Sequence, residues 1–145
     1  MKKNTGFIKK LLLNMKKNNV EIQEQDMFIK VLACGIWADG VVKVEELLEV
    51  NKIIDSASVE NKEVIKDLVT QKIEEYVKEN WIYLQDRDDV LSFILSKREW
   101  HYAEYLVQIF QADNIITEEE GEITKHLSNL LESKKYFENK LGILL

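Results

Sequence analysis

The stretch Trp37–Val42, WADGVV, decides the fold because it returns later in the chain as Gln111–Ile116, QADNII. Both copies place an Ala-Asp pair, then Gly or Asn, then two β-branched residues. Each copy lies between segments whose apolar residues recur at the spacing of an amphipathic helix. Gly and Asn readily adopt the left-handed backbone that ends a helix. The repeat therefore predicts two similar helix–loop–helix corners.

The rest of the 145-residue sequence continues the helical pattern. The chain has no Pro and only five Gly, which favours long helices with short connections over sheets or barrels. We expect an all-α fold, a single compact bundle of seven or eight helices. The expected helices cover about residues 5–18, 21–38, 44–55, 62–79, 86 or 88 to 97, 99–113, 118–133 and 135–145. This organisation gives a lysine-rich N-terminal helix, residues 1–20, and a helical domain, residues 21–145.

The charge is distributed unevenly. The net charge is −6, yet residues 1–17 contain six lysines and no acid, so the remainder carries −12. An acidic body repels nucleic acid, which argues against DNA or RNA as a partner. No apolar run approaches the 18 or so residues of a membrane-spanning helix.

Cys34 is the single cysteine, which excludes an internal disulfide and favours a reducing, cytoplasmic location. Its apolar neighbours Leu32 and Ala33 indicate a small buried hydrophobe rather than a nucleophile.

The aspartates of the two corners are unusual for their position. Asp39 and Asp113 each lie at the C-terminal end of a predicted helix, where the helix dipole is negative and a carboxylate costs roughly 0.3–1 kcal/mol. A hydrogen bond from a loop amide to the aspartate offsets this cost in one interpretation. In the other, each aspartate shares a cation with Glu46 or Glu120 of the next helix. Four carboxylates suit a hard ion such as Ca²⁺ or Mg²⁺.

The two corners differ in how the second helix begins. Thr117 and Glu120 have the Thr-x-x-Glu spacing of a capping box. Lys43, the equivalent of Thr117, is a poor cap, and there Val42 can instead pack onto Leu47.

An EF-hand is excluded although Asp-Gly-x-Val-x-x-x-Glu matches the second half of its calcium loop. Loop positions one and three need oxygen ligands. Here they would be Gly35 and Trp37 in the first copy, and Ile109 and Gln111 in the second.

The doubled ADG-x-(I/V)-x-x-x-E corner in a small, acidic, helical chain resembles the TerB-like (tellurite-resistance) family. The resemblance covers about residues 25–132, and the second corner departs from the motif at Asn114, where glycine is usual. It implies a compact helical domain with an acidic, divalent-metal-binding cluster and no enzymatic activity. It also implies a link to tellurite and other stress responses, and to assemblies near the membrane. Carried over by position, the cluster comprises Asp39, Glu46, Asp113 and Glu120, with Glu45 and Glu119 as neighbours.

We therefore expect a non-enzymatic binding or adaptor domain with a protein partner, located in the cytoplasm or at the inner face of the membrane. One alternative is a metal-dependent hydrolase that uses the acidic cluster to hold ion and water. Another is a peripheral membrane protein, which liposome flotation of full-length and truncated protein would distinguish. The membrane contact would use Lys2, Lys3, Lys9, Lys10, Lys16 and Lys17.

Three further features have a structural and a functional interpretation. His101 is expected to be partly buried among aromatic residues, and His126 is expected on a helix surface beside Glu122. The aromatic run 99–110 predicts core packing, with any exposed part available to a partner.

Overall fold

The computed structural model describes residues 25–141, and their side chains as far as residue 132. Within that part of the chain there are six helices and no strand, which confirms the predicted all-α fold. The helices are α1 (residues 25–37), α2 (Val44–Ser56), α3 (Lys62–Lys78), α4 (Asn80–Lys97), α5 (Trp100–Gln111) and α6 (Glu118–Leu141). Helix α5 packs against α2, α4 and α6, while α3 packs against α2 and α4.

The start of α4 corrects a predicted boundary. The helix begins at Asn80, ahead of Asp86 or Asp88, one of which the sequence predicts as the N-cap that starts it. Asp86 is instead buried inside the helix, where it accepts hydrogen bonds from Tyr76 Oη at 2.7 Å and Lys72 Nζ at 3.1 Å. Both partners lie on α3 and satisfy the carboxylate, so Asp86 joins α4 to α3. The local sequence pattern does not show this contact between helices.

The predicted count of seven or eight helices is not confirmed. The sequence leaves residues 81–84 between two predicted helices, as a connection or an extra turn, and in the structure they lie in the first turns of α4. The predicted break after Ser133 does not occur, and α6 continues to Leu141, because no Gly or Pro interrupts the sequence there. The helix predicted at residues 5–18 lies outside the described residues.

Helix α1 forms the centre of the core. Residues 31–36 are all buried, and six successive buried residues require neighbours on every side of the helix. Cys34 is one of them, as predicted, and its Sγ lies 3.6 Å from Tyr76 Oη. Burial raises the pKa of Cys34 to about 12, so its thiol stays protonated at neutral pH. Among the described helices, none has the length and apolar character needed to cross a membrane.

Gly35 allows α1 to approach α5 closely. A Cβ at this position would lie 2.8 Å from Ile109 Cδ1 and 3.3 Å from Leu106 Cδ2. Both of these side chains are buried and have little room to move. The position therefore requires a residue without a side chain.

We predict opposite effects for alanine at two helical glycines. Gly35→Ala should lower the free energy of unfolding by about 1–2 kcal/mol, because the new methyl group overpacks the α1–α5 contact. Gly121→Ala should raise it by about 0.5–1 kcal/mol, because no described atom lies within 4 Å of the added Cβ and alanine favours the helix. Urea denaturation measures both free energies of unfolding. An equal gain in stability from the two substitutions would contradict the close approach of α1 to α5 at Gly35.

Candidate metal centre

The repeated sequence forms two corners with the same backbone geometry. Gly40 has a φ of 75° and Asn114 a φ of 63°, so both adopt the predicted left-handed conformation. The amide of Gly40 donates to the carbonyl of Trp37 at 2.9 Å, and that of Asn114 donates to the carbonyl of Gln111 at 3.0 Å. The first corner joins α1 to α2, and the second joins α5 to α6.

Both aspartates use one carboxylate oxygen to order their loop. Asp39 Oδ1 accepts a hydrogen bond from the Val41 amide at 3.2 Å. Asp113 Oδ1 accepts one from the Ile115 amide at 3.0 Å. These are the loop bonds predicted from the sequence, and they offset part of the unfavourable helix-dipole interaction.

The second oxygen of each aspartate binds the same lysine. Lys43 Nζ lies 2.9 Å from Asp39 Oδ2 and 2.8 Å from Asp113 Oδ2. The two corners, 74 residues apart in sequence, therefore meet in space. The hydrogen bonds to the two carboxylates raise the pKa of Lys43, and the lysine in turn lowers the pKa of Asp113.

The two helix starts then diverge, as the sequence predicts. The Thr117 amide donates to Glu120 Oε1 at 3.0 Å, and the Glu120 amide donates to Thr117 Oγ1 at 3.2 Å, which is a complete capping box. In the first corner the N-cap residue is Lys43, whose side chain binds the aspartates instead. Glu46, the equivalent of Glu120, thus has no capping partner.

Glu46 and Glu120 form the unusual part of the site, because neither has any exposed surface. Among the described residues, no hydrogen-bond partner contacts either carboxyl oxygen of Glu46, or Oε2 of Glu120. A buried carboxylate without a partner is strongly destabilising, so it requires either a proton or a cation. The pKa of Glu46 is raised to about 9. Burial is the larger cause, and the second is the hydrogen bond that a protonated Glu46 carboxyl would share with Glu120. The metal-free protein therefore holds a proton on Glu46 at neutral pH.

Asp39, Glu46 and Glu120 each place one carboxylate oxygen within 4.8 Å of the others. Two oxygens bound to one Ca²⁺ at about 2.3–2.6 Å lie at most roughly 5 Å apart, so this limit is compatible with such an ion. Mg²⁺, with ligands at about 2.0–2.1 Å, is the more demanding ion, because two of its ligand oxygens lie at most roughly 4.2 Å apart. In the part of the chain with described side chains, this is the one group of three acidic, histidine or cysteine ligands with metal-binding spacing.

The four carboxylates predicted as a cluster are thus divided into three and one. Asp39, Glu46 and Glu120 lie together, whereas Asp113 joins them through the ammonium of Lys43. The sequence interpretation missed Lys43 as a site residue because it treated this position only as a helix cap. The i,i+4 spacing of Asp39 and Lys43 is the signal that indicates the ion pair.

The histidines lie apart from this cluster. His101 is exposed, so its predicted partial burial is wrong, although its ring does lie 3.5 Å from that of Trp100. His126 is exposed on α6, as predicted. In the aromatic run, Phe110 is buried, while Tyr102 and Tyr105 are half-buried against the core.

Comparison of the chain with protein-family models, curated proteins and solved structures found no match in any of the three. The resemblance to the TerB-like family therefore stays a prediction based on the two corner motifs.

We predict that Glu46 makes the stability of the metal-free protein depend on pH. The folded protein retains the Glu46 proton up to a pH of about 9, whereas the unfolded chain releases it near the ordinary pKa of 4.5. The folded state thus binds more protons in this window, so the free energy of unfolding falls as pH rises from about 5 to 9, by at most roughly 1.4 kcal/mol per pH unit.

Glu46→Gln should remove this dependence and raise stability at pH 8 by about 1–3 kcal/mol, because a neutral amide can donate to Glu120. Urea denaturation with chelator across this pH range tests both effects. Glu45→Gln, at the exposed neighbouring position, is the matched control and should retain the slope. The same slope in Glu46→Gln as in the wild type would contradict this assignment.

Proposed function

We propose that this chain is a non-enzymatic, TerB-like binding domain in which a divalent cation joins the two corners and sets the shape of a partner-binding face. The observation that carries the proposal is the pair of buried glutamates beside Asp39: among the described residues, no donor contacts either carboxyl oxygen of Glu46 or Oε2 of Glu120. A divalent cation supplies the positive charge that this arrangement lacks. Because Glu46 lies in the first turn of α2 and Glu120 in the first turn of α6, one ion would hold both helix starts.

The partner-binding face follows from what surrounds the ion site. The β-branched pairs after the two aspartates are exposed, at 54% for Val41, 40% for Val42, 62% for Ile115 and 48% for Ile116. Exposed apolar side chains grouped on a surface are typical of a protein-interaction site. The backbone amides of Val41 and Ile115 donate to Asp39 and Asp113, so a change at the carboxylates would act on the backbone that carries these side chains.

Burial of the glutamates favours this role over the hydrolase alternative. A catalytic metal keeps an open position for water and substrate. Glu46 and Glu120 have no exposed surface, so an ion held by them is better suited to joining helices than to activating water.

The biological setting of the proposed function follows from the resemblance to the TerB-like family alone. It comprises a protein partner, a tellurite or other stress response, and a cytoplasmic location that extends to the inner face of the membrane.

We predict saturable binding when chelator-treated protein is titrated calorimetrically with Ca²⁺, Mg²⁺ and Mn²⁺. Glu46→Gln should weaken that binding by at least about 100-fold, because changes to groups that only support a metal ligand already cost about 10–100-fold. Glu45→Gln should bind like the wild type. Absence of saturable binding, or equal binding by Glu46→Gln, would contradict the proposal.

Amide hydrogen exchange tests the coupling between ion and loops. The ion should slow exchange in residues 39–46 and in residues 113–120 together, since it joins both corners. Slowing in one corner alone would show that the ion does not join them.

A further inference from the structure

Lys43 lies where a second positive charge conflicts with a bound metal. Its ammonium is 2.9 Å from Oδ2 of Asp39, which belongs to the candidate ligand set, and 2.8 Å from Oδ2 of Asp113, which does not. The side chains of Asp39 and Asp113 are 6% and 10% exposed, and that of Lys43 is 22% exposed. The three charges are thus mostly shielded from water. In such a setting charge interactions are stronger than on an open surface.

We propose that Lys43 competes with the divalent cation for Asp39. When the cation binds, Lys43 moves its ammonium onto Asp113 and leaves Asp39 to the cation. This inference rests on the proposed function and concerns the affinity of the same site. A cation that binds Asp39, Glu46 and Glu120 repels an ammonium that touches one of its ligands. Lys43 must then weaken its contact with Asp39 before the ion is fully bound.

Asp113 gives the displaced ammonium a place to remain. Its Oδ1 is fixed by the Ile115 amide, and its Oδ2 already contacts Lys43. Lys43 can therefore release Asp39 and still have a counter-charge, so the exchange leaves no buried charge unpaired. This arrangement accounts for the position of the fourth carboxylate, which holds the competing lysine while the other three face one another.

The second corner shows that the lysine is not needed to build the turn. Thr117 stands at the equivalent position and completes a capping box with Glu120. Lys43 provides no such side-chain cap, yet the first corner forms the same backbone turn. The charge at position 43 thus has a role apart from the fold of the corner.

Calcium titration of two variants that remove this charge tests the inference. Lys43→Met removes the ammonium, and Lys43→Thr also restores the cap found in the second corner, which protects against a loss of folding. Both should bind Ca²⁺ at least about tenfold more tightly than the wild type. Lys52→Met removes the same charge from an exposed position on α2 and should change the affinity less than about twofold.

Thermal unfolding supplies a readout that a purely structural role would not produce. With chelator, Lys43→Met should melt below the wild type, because Asp39 and Asp113 lose their counter-charge. With saturating Ca²⁺ the difference should shrink or reverse, since the variant binds the ion more tightly.

If the wild type binds Ca²⁺ and both Lys43 variants bind it equally or more weakly, this inference is overturned while the metal site stands. If no form binds Ca²⁺, the proposed function fails and the inference fails with it.

Discussion

The apposition of Glu46 and Glu120 is the constraint on which the account of this protein depends. Two carboxyl groups without exposed surface cannot both remain ionised beside Asp39 unless a positive charge joins them. The metal-free protein meets this requirement with a proton on Glu46. In the proposed function a divalent cation would meet it as well, and would also link the first turns of α2 and α6 more strongly than a proton on one side chain.

A second buried acid shows how this chain treats a carboxylate whose role is structural. Asp86 is as inaccessible as a core residue, yet it receives a hydrogen bond from Tyr76 and an ion pair from Lys72. Its charge is compensated by the protein itself. Glu46 lacks such compensation among the described residues, although Lys43 lies only three positions away and binds the two aspartates instead. The contrast between these two buried acids supports the proposed binding role of Glu46.

Much of this arrangement is visible in the sequence, because local rules control it. The left-handed residues Gly40 and Asn114, the aspartate loop bonds and the Thr117 capping box all depend on residues within a few positions of one another. The predicted start of α4 was wrong at a residue whose role is decided by distant partners. Asp86 resembles a helix cap until its partners from α3 are known.

The candidate site has the same division between local and distant information. The repeat indicates that four carboxylates belong together, but spacing alone does not show which of them face one another. Nor does it show that Lys43 reaches across to Asp113, since that contact requires the second corner to pack beside the first. The burial of Glu46 and Glu120 likewise arises from the packing of helices that are distant in sequence.

Anomalous diffraction from crystals of the full chain grown or soaked with Mn²⁺ tests the central claim most directly. Manganese accepts the same oxygen ligands as Mg²⁺ and Ca²⁺, and its anomalous signal locates the ion independently of the protein atoms. The account predicts a peak between Asp39, Glu46 and Glu120, with Lys43 shifted toward Asp113. Crystals at saturating Mn²⁺ with no peak there, and with a carboxyl oxygen of Glu46 within hydrogen-bond distance of one of Glu120, would show that the buried pair is satisfied by a proton and is not a metal site.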